Sequence, residues 1–203
     1  MKDILVTAFE AFGGEELNPT EKVLEMLPDN ICSCRISKLL LPVEFVRSRL
    51  LAAAEYDRLS PAALIMLGQA GGRSAVTPET TARNIMNASV PDNSGYKPDN
   101  LPVEENGPYE LYSSFPAEKI MNAVSALGFP CEISDNAGQY VCNTLLYGML
   151  AHNKGAVPTG FIHVPYIREQ QHQDKPFMEL NDICRAVTAA IKVVAEELQP
   201  QPD

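Results

Sequence analysis

The chain has 203 residues, of which 45% are hydrophobic and 21% charged, a composition typical of a folded globular protein and not of a disordered one. Its net charge of −10 at pH 7 argues against nucleic acid and an anionic membrane surface as partners. No apolar run is long enough to span a bilayer, and the chain opens on a strand pattern without signal-peptide organisation, so we expect a cytoplasmic protein.

Apolar runs typical of strands alternate along the chain with amphipathic helical patterns. The patterns predict strands over 4–9, 36–41, 62–67, 131–134 and 161–164, and helices over 19–27, 44–56, 117–127, around 142–150 and over 175–198. Asn18 and Pro19 mark the start of the first helix, as its cap and its first residue. Alternating strands and helices predict an α/β fold, a three-layer α/β/α sandwich with a mostly parallel central sheet, formed by a single domain over residues 1–203.

The stretch 71–113 interrupts this alternation with proline-containing turns and a polar cluster. Part of it, 81–90, could add antiparallel strands at a sheet edge, and the rest is predicted to be a long ordered loop. Loops of that length are usually binding or interface elements. We therefore expect subunit contacts from 91–113, together with the last helix.

The residues that follow the first and central strands should share one ligand-binding mouth, because ligands of α/β folds bind beyond the carboxyl ends of the strands. Phe9 and Phe12 lie in a glycine-rich loop there, where they either pack into the core or form an apolar pocket for a small uncharged ring. The glycine-rich run 68–73 lacks the lysine of a phosphate-binding loop. Its Gln69 carries an amide that could pair with a lactam or peptide group.

Cys142 follows a capping-type cluster at 134–136, which predicts a helix start there and places Cys142 near the first turns of that helix. Free backbone N–H groups and the helix dipole there would favour a thiolate. His163, near the end of a short strand, would be the base of this nucleophile. An inert buried thiol and a structural core histidine are the alternative readings of the two residues.

One carboxylate would orient the imidazole, and the spacing leaves four candidates open. The four are Glu79, Glu10, Glu44 and Asp135. The five cysteines are scattered and odd in number, which does not indicate a disulfide framework. Cys32 and Cys34 have no second ligand pair nearby, and the three histidines are irregularly spaced, so we expect neither a metal nor a cofactor.

Five motifs in chain order resemble those of the pyroglutamyl peptidase I family, also called pyrrolidone-carboxylate peptidases. They are TAFEAFGG at 7–14 with NP at 18–19, GQAGGR at 68–73 with PE at 78–79 and A-x-N at 82–84, PDN-x-G at 91–95, D-x-AG-x-YVCN at 135–143, and GFIHVP at 160–165. They cover the chain from its start to about residue 185 if the flanking elements are included. Five ordered motifs are far more specific than any one of them.

The resemblance implies a catalytic triad in which Cys142 is the nucleophile, His163 the general base and acid, and Glu79 the residue that orients the imidazole. It also implies a substrate pocket in which Phe9 and Phe12 flank the pyroglutamyl ring; its other members are Asn18, Gln69 and Val141. The implied activity is that of a cysteine exopeptidase removing N-terminal pyroglutamate from peptides through a thioester. The family commonly assembles as a homotetramer, so we expect a dimer or tetramer.

Three features depart from the family pattern. Thr80 and Thr81 stand where a basic and an aliphatic residue usually follow the glutamate, and Ser89 stands where an arginine is usual. The interval from Cys142 to His163 is slightly short, and we place the deletion in the loop 153–158. These departures are the only support for one alternative, a catalytically inactive module that binds pyroglutamyl peptides. A different α/β cysteine or acyl-transfer hydrolase is the other alternative.

Overall fold

The computed structural model describes residues 1–170, 172 and 174–199, so residues 171, 173 and 200–203 of the predicted domain lie outside the described part. Its centre is a six-stranded sheet with the strand order β2-β3-β1-β4-β8-β5. The strands are β1 (Lys2–Phe9), β2 (Asn30–Ile31), β3 (Cys34–Leu41), β4 (Ala63–Gln69), β5 (Thr77–Glu79) and β8 (Thr159–Val164). The four inner strands run parallel, whereas β2 and β5 pair antiparallel at the two edges.

Two small strand pairs lie outside this sheet. They are the antiparallel pair β6 (Thr81–Arg83) with β7 (Glu110–Tyr112), and the parallel pair β9 (Tyr166–Ile167) with β10 (Phe177–Met178). Five α-helices complete the fold: α1 (Pro19–Met26), α2 (Arg47–Leu59), α3 (Ala117–Ala126), α4 (Val141–Asn153) and α5 (Leu180–Glu197). Among the described residues, no helix is both long enough and apolar enough to cross a membrane.

Alternate residues of the inner strands bury themselves in two separate cores. Ile4, Val6 and Ile65 pack with the apolar faces of α1, α3 and α5. Leu5 and Leu64 point the other way and pack with residues of α2 and α4. Successive strand residues point to opposite faces, so a run that is apolar throughout requires helices on both sides. This arrangement confirms the predicted three-layer α/β/α sandwich.

Several predicted boundaries were wrong. Segment 131–134 makes only two isolated bridges, to Val76 and Glu79, and is not a regular strand. The second helix begins at Arg47 because the preceding Phe45 is fully buried and its N–H donates to the Asp92 carboxylate at 2.9 Å. The last helix begins at Leu180, since residues 177–178 extend to pair with β9. The central strand runs on to Gln69, two residues beyond its predicted end.

Candidate active site

A cavity of about 310 Å³ lies at the carboxyl ends of β1, β4 and β8. Every predicted site residue except Glu79 lines it. These residues are Phe9, Phe12, Asn18, Gln69, Val141, Cys142 and His163. The strand ends therefore bring to one mouth side chains that lie up to 154 positions apart in the sequence, as the order of the sheet requires.

Glu79 lies behind the cavity and holds the imidazole of His163. Its strand, β5, pairs antiparallel with β8, so Glu79 stands opposite Phe161 and diagonally across from His163 on the same face. His163 Nδ1 donates to Glu79 Oε1 at 2.7 Å. Because an ionised carboxylate only accepts, the ring proton is on Nδ1 and the lone pair is on Nε2. The structure thus singles out Glu79 among the four acids that local reasoning left open.

Arg73 contacts the Glu79–His163 pair. Sequence reasoning placed it in a motif but assigned it no role. Its Nη1 donates to the same Glu79 Oε1 at 2.6 Å, and its Nη2 donates to the Asn136 carbonyl at 2.9 Å. Glu79 is fully buried, and within the described residues its Oε2 has no hydrogen-bond partner. The guanidinium therefore compensates a buried carboxylate charge that would otherwise be costly.

Cys142 is the second residue of α4, as the sequence predicted, but the helix start has a different origin. Residues 134–136 do not cap it, because they form a turn of their own in which the Asn136 N–H donates to Ser134 Oγ at 3.2 Å. The cap position is Tyr140, which makes no side-chain capping bond. In the described part of the chain, the first amides of α4 thus have no side-chain cap, and Val141 and Cys142 line the cavity.

Asn143 anchors this helix start and was not singled out from the sequence. It is buried, its Oδ1 accepts from the Arg83 N–H at 2.8 Å, and its Nδ2 donates to the carbonyls of Arg83 and Ile85 at 2.8 and 2.9 Å. The residue next to Cys142 is thus tied by two bonds to the last residue of β6 and by a third to the segment that follows it. Its place in the motif directly after the cysteine was the available signal.

The pKa shifts in the folded site run against the sequence-based expectation of a resting thiolate. Burial, and then the negative charge of Glu79, raise the pKa of the Cys142 thiol to about 12, against the opposing effect of Arg73. Burial lowers the pKa of His163 below its usual value, although Glu79 acts in the other direction. For Glu79, burial alone would raise the pKa, but His163 and Arg73 outweigh it and lower the pKa. These pKa shifts favour a neutral thiol, a neutral imidazole and a carboxylate in the resting site.

Gly68 leaves room for the Cys142 thiol and the Phe161 ring against the sheet. It pairs with His163 between β4 and β8, on the face that packs against α4. A Cβ at this position would lie 2.9 Å from Cys142 Sγ and 2.6 Å from Phe161 Cζ. The backbone here has no left-handed conformation, so a close approach and not a turn requires the glycine.

The walls of the cavity are largely apolar. Phe9 is only 2% exposed and belongs to the core beneath α2 and α4, while it also lines the cavity. Phe12 is half-buried, with its ring centroid 6.4 Å from that of Tyr140. Both sequence-based readings of these phenylalanines therefore hold for Phe9. Val141 lies beside them in the first turn of α4.

Two polar side chains complete the cavity. Asn18 caps α1, accepting from the Thr20 N–H at 3.0 Å, and its Nδ2 donates to the Glu10 carbonyl at 3.0 Å, which ties down the loop that carries Phe12. Gln69 ends β4 and is 9% exposed. Its Oε1 accepts from Gln170 Nε2 at 2.8 Å.

The departures from the family pattern lie beside the site and not in it. Thr80 donates through its N–H to the Ser134 carbonyl at 2.7 Å and so fixes the segment that carries Glu79. Ser89 is exposed and does not line the cavity. Among the described residues, no group of three or more His, Cys, Asp or Glu side chains could hold a metal ion.

Comparisons with known proteins give a consistent result. A family model described as pyroglutamyl peptidase matches residues 2–197. The chain is 40% identical over 200 residues to pyrrolidone-carboxylate peptidase 1 of Caldanaerobacter subterraneus subsp. tengcongensis, covering 96% of this chain and 98% of that one. It is 39% identical over 199 residues to pyrrolidone-carboxylate peptidase of Thermococcus kodakarensis, covering 96% and 97% of the two chains.

Solved structures agree in fold. A mutant pyrrolidone carboxyl peptidase from the hyperthermophile Pyrococcus furiosus superposes with a TM-score of 0.93 at 36% identity, covering 97% of this chain and all of that one. Pyroglutamyl peptidase I of Bacillus amyloliquefaciens gives a TM-score of 0.93 at 32% identity, covering 97% and 98%. Motifs, fold and full-length similarity lead to one conclusion: this chain is a peptidase that belongs to the pyroglutamyl peptidase family.

Proposed function

We propose that this protein is a cysteine exopeptidase that removes N-terminal pyroglutamate from peptides through a thioester intermediate. The observation that carries the proposal is that His163, held by Glu79, lines the same small and largely apolar cavity as Cys142. A carboxylate that holds an imidazole next to a thiol is the arrangement that nucleophilic acyl transfer requires.

The first chemical step is acylation of Cys142. His163 Nε2 removes the thiol proton as Sγ attacks the carbonyl that joins pyroglutamate to the next residue. Because the pKa of the thiol is raised and that of the imidazole is lowered, this proton moves during the attack and not before it. The imidazolium then protonates the leaving amine, which departs and leaves the pyroglutamyl group on Sγ as a thioester. His163 next takes a proton from water, and the resulting attack releases free pyroglutamate and the thiol.

The open start of α4 would stabilise the oxyanion formed in both steps. The N–H groups of Val141, Cys142 and Asn143 have no intrahelical acceptor, since the first such bond runs from Thr144 to the Tyr140 carbonyl at 3.1 Å. At α1, by contrast, Pro19 has no N–H, and the side chain of Asn18 accepts from the Thr20 N–H. An uncapped helix start next to the nucleophile leaves its donors free for the substrate oxygen.

The cavity suits a lactam ring and not an ordinary N-terminus. Phe9, Phe12 and Val141 would enclose the apolar faces of the ring, and Gln69 would pair with its amide. Among the described residues that line the cavity, none is a carboxylate, whereas Arg73 is a cation. A peptide with a charged α-amine would therefore lose hydration without gaining a partner.

The two alternatives each predict a different outcome. An inactive binding module draws its support from Thr80 and Ser89, and both lie outside the cavity, while the triad and its cation are complete. A different cysteine hydrolase would not need a lactam-sized apolar slot.

Three expectations from the sequence stay predictions. They are a homo-oligomer, either a dimer or a tetramer, a cytoplasmic location, and a single domain over residues 1–203.

The test is hydrolysis of a fluorogenic pyroglutamyl amide under reducing conditions by the wild type and by Cys142→Ser. We expect turnover by the wild type and a loss of roughly a thousandfold or more in the variant, because the hydroxyl is a far weaker nucleophile beside this base. A prolyl amide is the matched control substrate, since it lacks only the ring carbonyl and carries a basic nitrogen.

Each alternative outcome has a defined meaning. Absence of wild-type turnover would favour the inactive binding module. Equal turnover by the wild type and Cys142→Ser would show that another residue is the nucleophile. Comparable hydrolysis of the prolyl amide would favour a hydrolase of different specificity.

A further inference from the structure

We infer that Gln170 is a positioning residue that turns the amide nitrogen of Gln69 toward the cavity, where it donates to the ring carbonyl of the lactam. The inference rests on the proposed function and deepens it, because it names the group of the substrate that Gln69 recognises. It assigns a role to a residue that belongs to none of the five motifs.

The orientation of the Gln170 amide is fixed from two sides. The Ile167 N–H, which can only donate, lies 3.1 Å from Gln170 Oε1. The Glu15 carboxylate, which accepts when ionised, lies 3.4 Å from Gln170 Nε2. If the amide were reversed, an N–H group would face an N–H group and an oxygen would face a carboxylate. The amide of Gln170 therefore has one permitted orientation.

This orientation determines that of Gln69. Gln170 Nε2 donates to Gln69 Oε1 at 2.8 Å, so the oxygen of Gln69 is occupied and its nitrogen is turned away from Gln170. Across residues 1–170, 172 and 174–199, Gln69 Nε2 has no hydrogen-bond partner. Gln69 lines the cavity and is only 9% exposed, so its N–H groups can donate to an acceptor of a ligand bound there. The lactam carbonyl is the strongest acceptor on a pyroglutamyl ring.

The segment around Gln170 is itself held against the site. The Tyr166 hydroxyl lies where a Cβ of Gly71 would be, 2.2 Å from that position, which explains the lack of a side chain at 71. The ring of His172 stacks on Tyr166 with centroids 4.0 Å apart, and its Nε2 lies 2.8 Å from Glu15 Oε1. Glu15, which helps to orient Gln170, is thus itself held by His172. It lies in the loop that also carries Phe12.

The test is Gln170→Glu, which keeps the shape of the side chain and reverses its chemistry. One carboxylate oxygen can still accept from the Ile167 N–H, but the other can only accept, so Gln69 must turn its nitrogen away from the cavity. The lactam carbonyl then meets an oxygen. We expect KM for the pyroglutamyl amide to rise roughly 10- to 100-fold, with a smaller change in kcat. We expect the same shift in the concentration of 2-pyrrolidone that protects Cys142 from alkylation by iodoacetamide.

Three comparisons separate orientation from charge and from folding. Gln170→Glu combined with Glu15→Gln restores the wild-type net charge, and we expect the loss of affinity to persist. Gln199→Glu makes the same change on an exposed residue at the end of the described chain, and we expect wild-type kinetics. Lowering the pH should reduce the defect of Gln170→Glu relative to the wild type, because a protonated carboxyl can donate to Gln69 again.

The outcomes that would overturn the inference are distinct from those that concern the proposed function. Unchanged KM and unchanged 2-pyrrolidone protection in Gln170→Glu, with normal wild-type turnover, would refute the positioning role and leave the peptidase assignment intact. Recovery of wild-type affinity in the charge-neutral double variant would show that repulsion alone was responsible. If the wild type lacks turnover, the protection assay still decides, and a shift there supports the orientation independently of catalysis.

Discussion

Arg73 joins three parts of the active site through one guanidinium. It donates to Glu79, lines the cavity, and holds the Asn136 carbonyl in the turn before α4. Its positive charge favours the ionised forms of Glu79 and Cys142 and opposes the protonated form of His163. A single cation therefore acts on all three members of the proposed triad, in each case toward the state that catalysis needs.

The variant Arg73→Gln should expose this role. Without the cation the pKa of His163 rises, so the imidazole protonates at higher pH and the acid limb of the kcat/KM profile moves to higher pH. We also expect kcat/KM at its optimum to fall about tenfold or more, since Glu79 loses a charge-assisted hydrogen bond while it remains buried. The measurement is the pH profile of hydrolysis of the pyroglutamyl amide.

Arg58→Gln is the matched control for this prediction. Arg58 is exposed and, among residues 1–170, 172 and 174–199, forms its ion pair with Glu55 one helical turn away, so its removal should leave the profile in place. If Arg73→Gln lowered the maximal kcat/KM without shifting the acid limb, Arg73 would support the fold of the turn and would not set the pKa of His163.

At the scale of single elements, the two helix starts show what local sequence can and cannot predict. Asn18 and Pro19 predicted the start of α1 because the capping bond is local, between residues two positions apart. The start of α4 was misassigned to residues 134–136, since polar residues that cap helices also form independent turns. The start of α4 has no side-chain cap because of the residues packed around it in the fold. A short window of sequence does not contain those residues.

The edge strand β5 was missed for a related reason. It has three residues, one of them proline, and exists because β8 offers a partner edge. Glu79 could therefore be chosen among four acids only through the resemblance to a family. The Gln69–Gln170 contact joins residues 101 positions apart and was likewise beyond local reasoning. The proposed triad could be named through that resemblance, whereas the roles of Arg73 and Gln170 could not.

The contact between β4 and α4 gives a prediction at this scale. In Gly68→Ala the new Cβ would collide with the fully buried Phe161 ring and with Cys142 Sγ, so either the helix start or the ring must move. We expect a loss of stability of about 1–3 kcal/mol. We also expect kcat/KM to fall at least tenfold, because a shift of about 1 Å misplaces the nucleophile. Urea unfolding and steady-state kinetics measure the two effects.

Gly148→Ala provides the comparison, since it adds the same methyl group within α4 at a distance from the cavity. The three atoms nearest to its Cβ would all belong to the flexible side chain of Arg49, and alanine is favoured in helix interiors. Activity should be retained in this variant. If Gly68→Ala were equally active, Cys142 would tolerate displacement and the close approach at Gly68 would have no catalytic meaning.

At the scale of the whole molecule, the layered architecture was the most predictable feature. The alternation of strand and helix patterns persists over nearly the entire chain, and small errors at element ends do not change the layers that it implies. The same layers bury the catalytic groups, and burial dominates their pKa values. The free energy of unfolding should therefore depend on pH through the ionisation of the buried active-site groups.

Proton linkage then predicts a stability maximum between about pH 7 and pH 9. On the acid side, the unfolded chain protonates His163 near its usual pKa of 6.5, whereas the folded state resists until lower pH, so stability declines as the pH falls through that range. On the alkaline side, a thiol of the unfolded chain has a pKa near 9.0. In the folded state, burial raises the pKa of Cys142 to about 12 and that of Cys131 to about 11. Each of these thiols should cost about 1.4 kcal/mol per pH unit above 9.

Urea unfolding of the wild type and of Cys142→Ser under reducing conditions, from pH 5 to pH 10.5, measures this directly. Serine does not ionise in this range, so the variant should lose stability above pH 9 less steeply, by about 1 kcal/mol per pH unit, while its acid side follows the wild type. Parallel curves above pH 9 would mean that burial does not raise the pKa of the folded Cys142 thiol above its ordinary value. A resting thiolate requires more: the wild type would also have to gain stability over Cys142→Ser as the pH rises from 5 to 9, because only then does the folded thiol ionise before the unfolded one. The helix dipole at α4 would in that case outweigh burial, and the proton transfer to His163 would be complete before the substrate arrives.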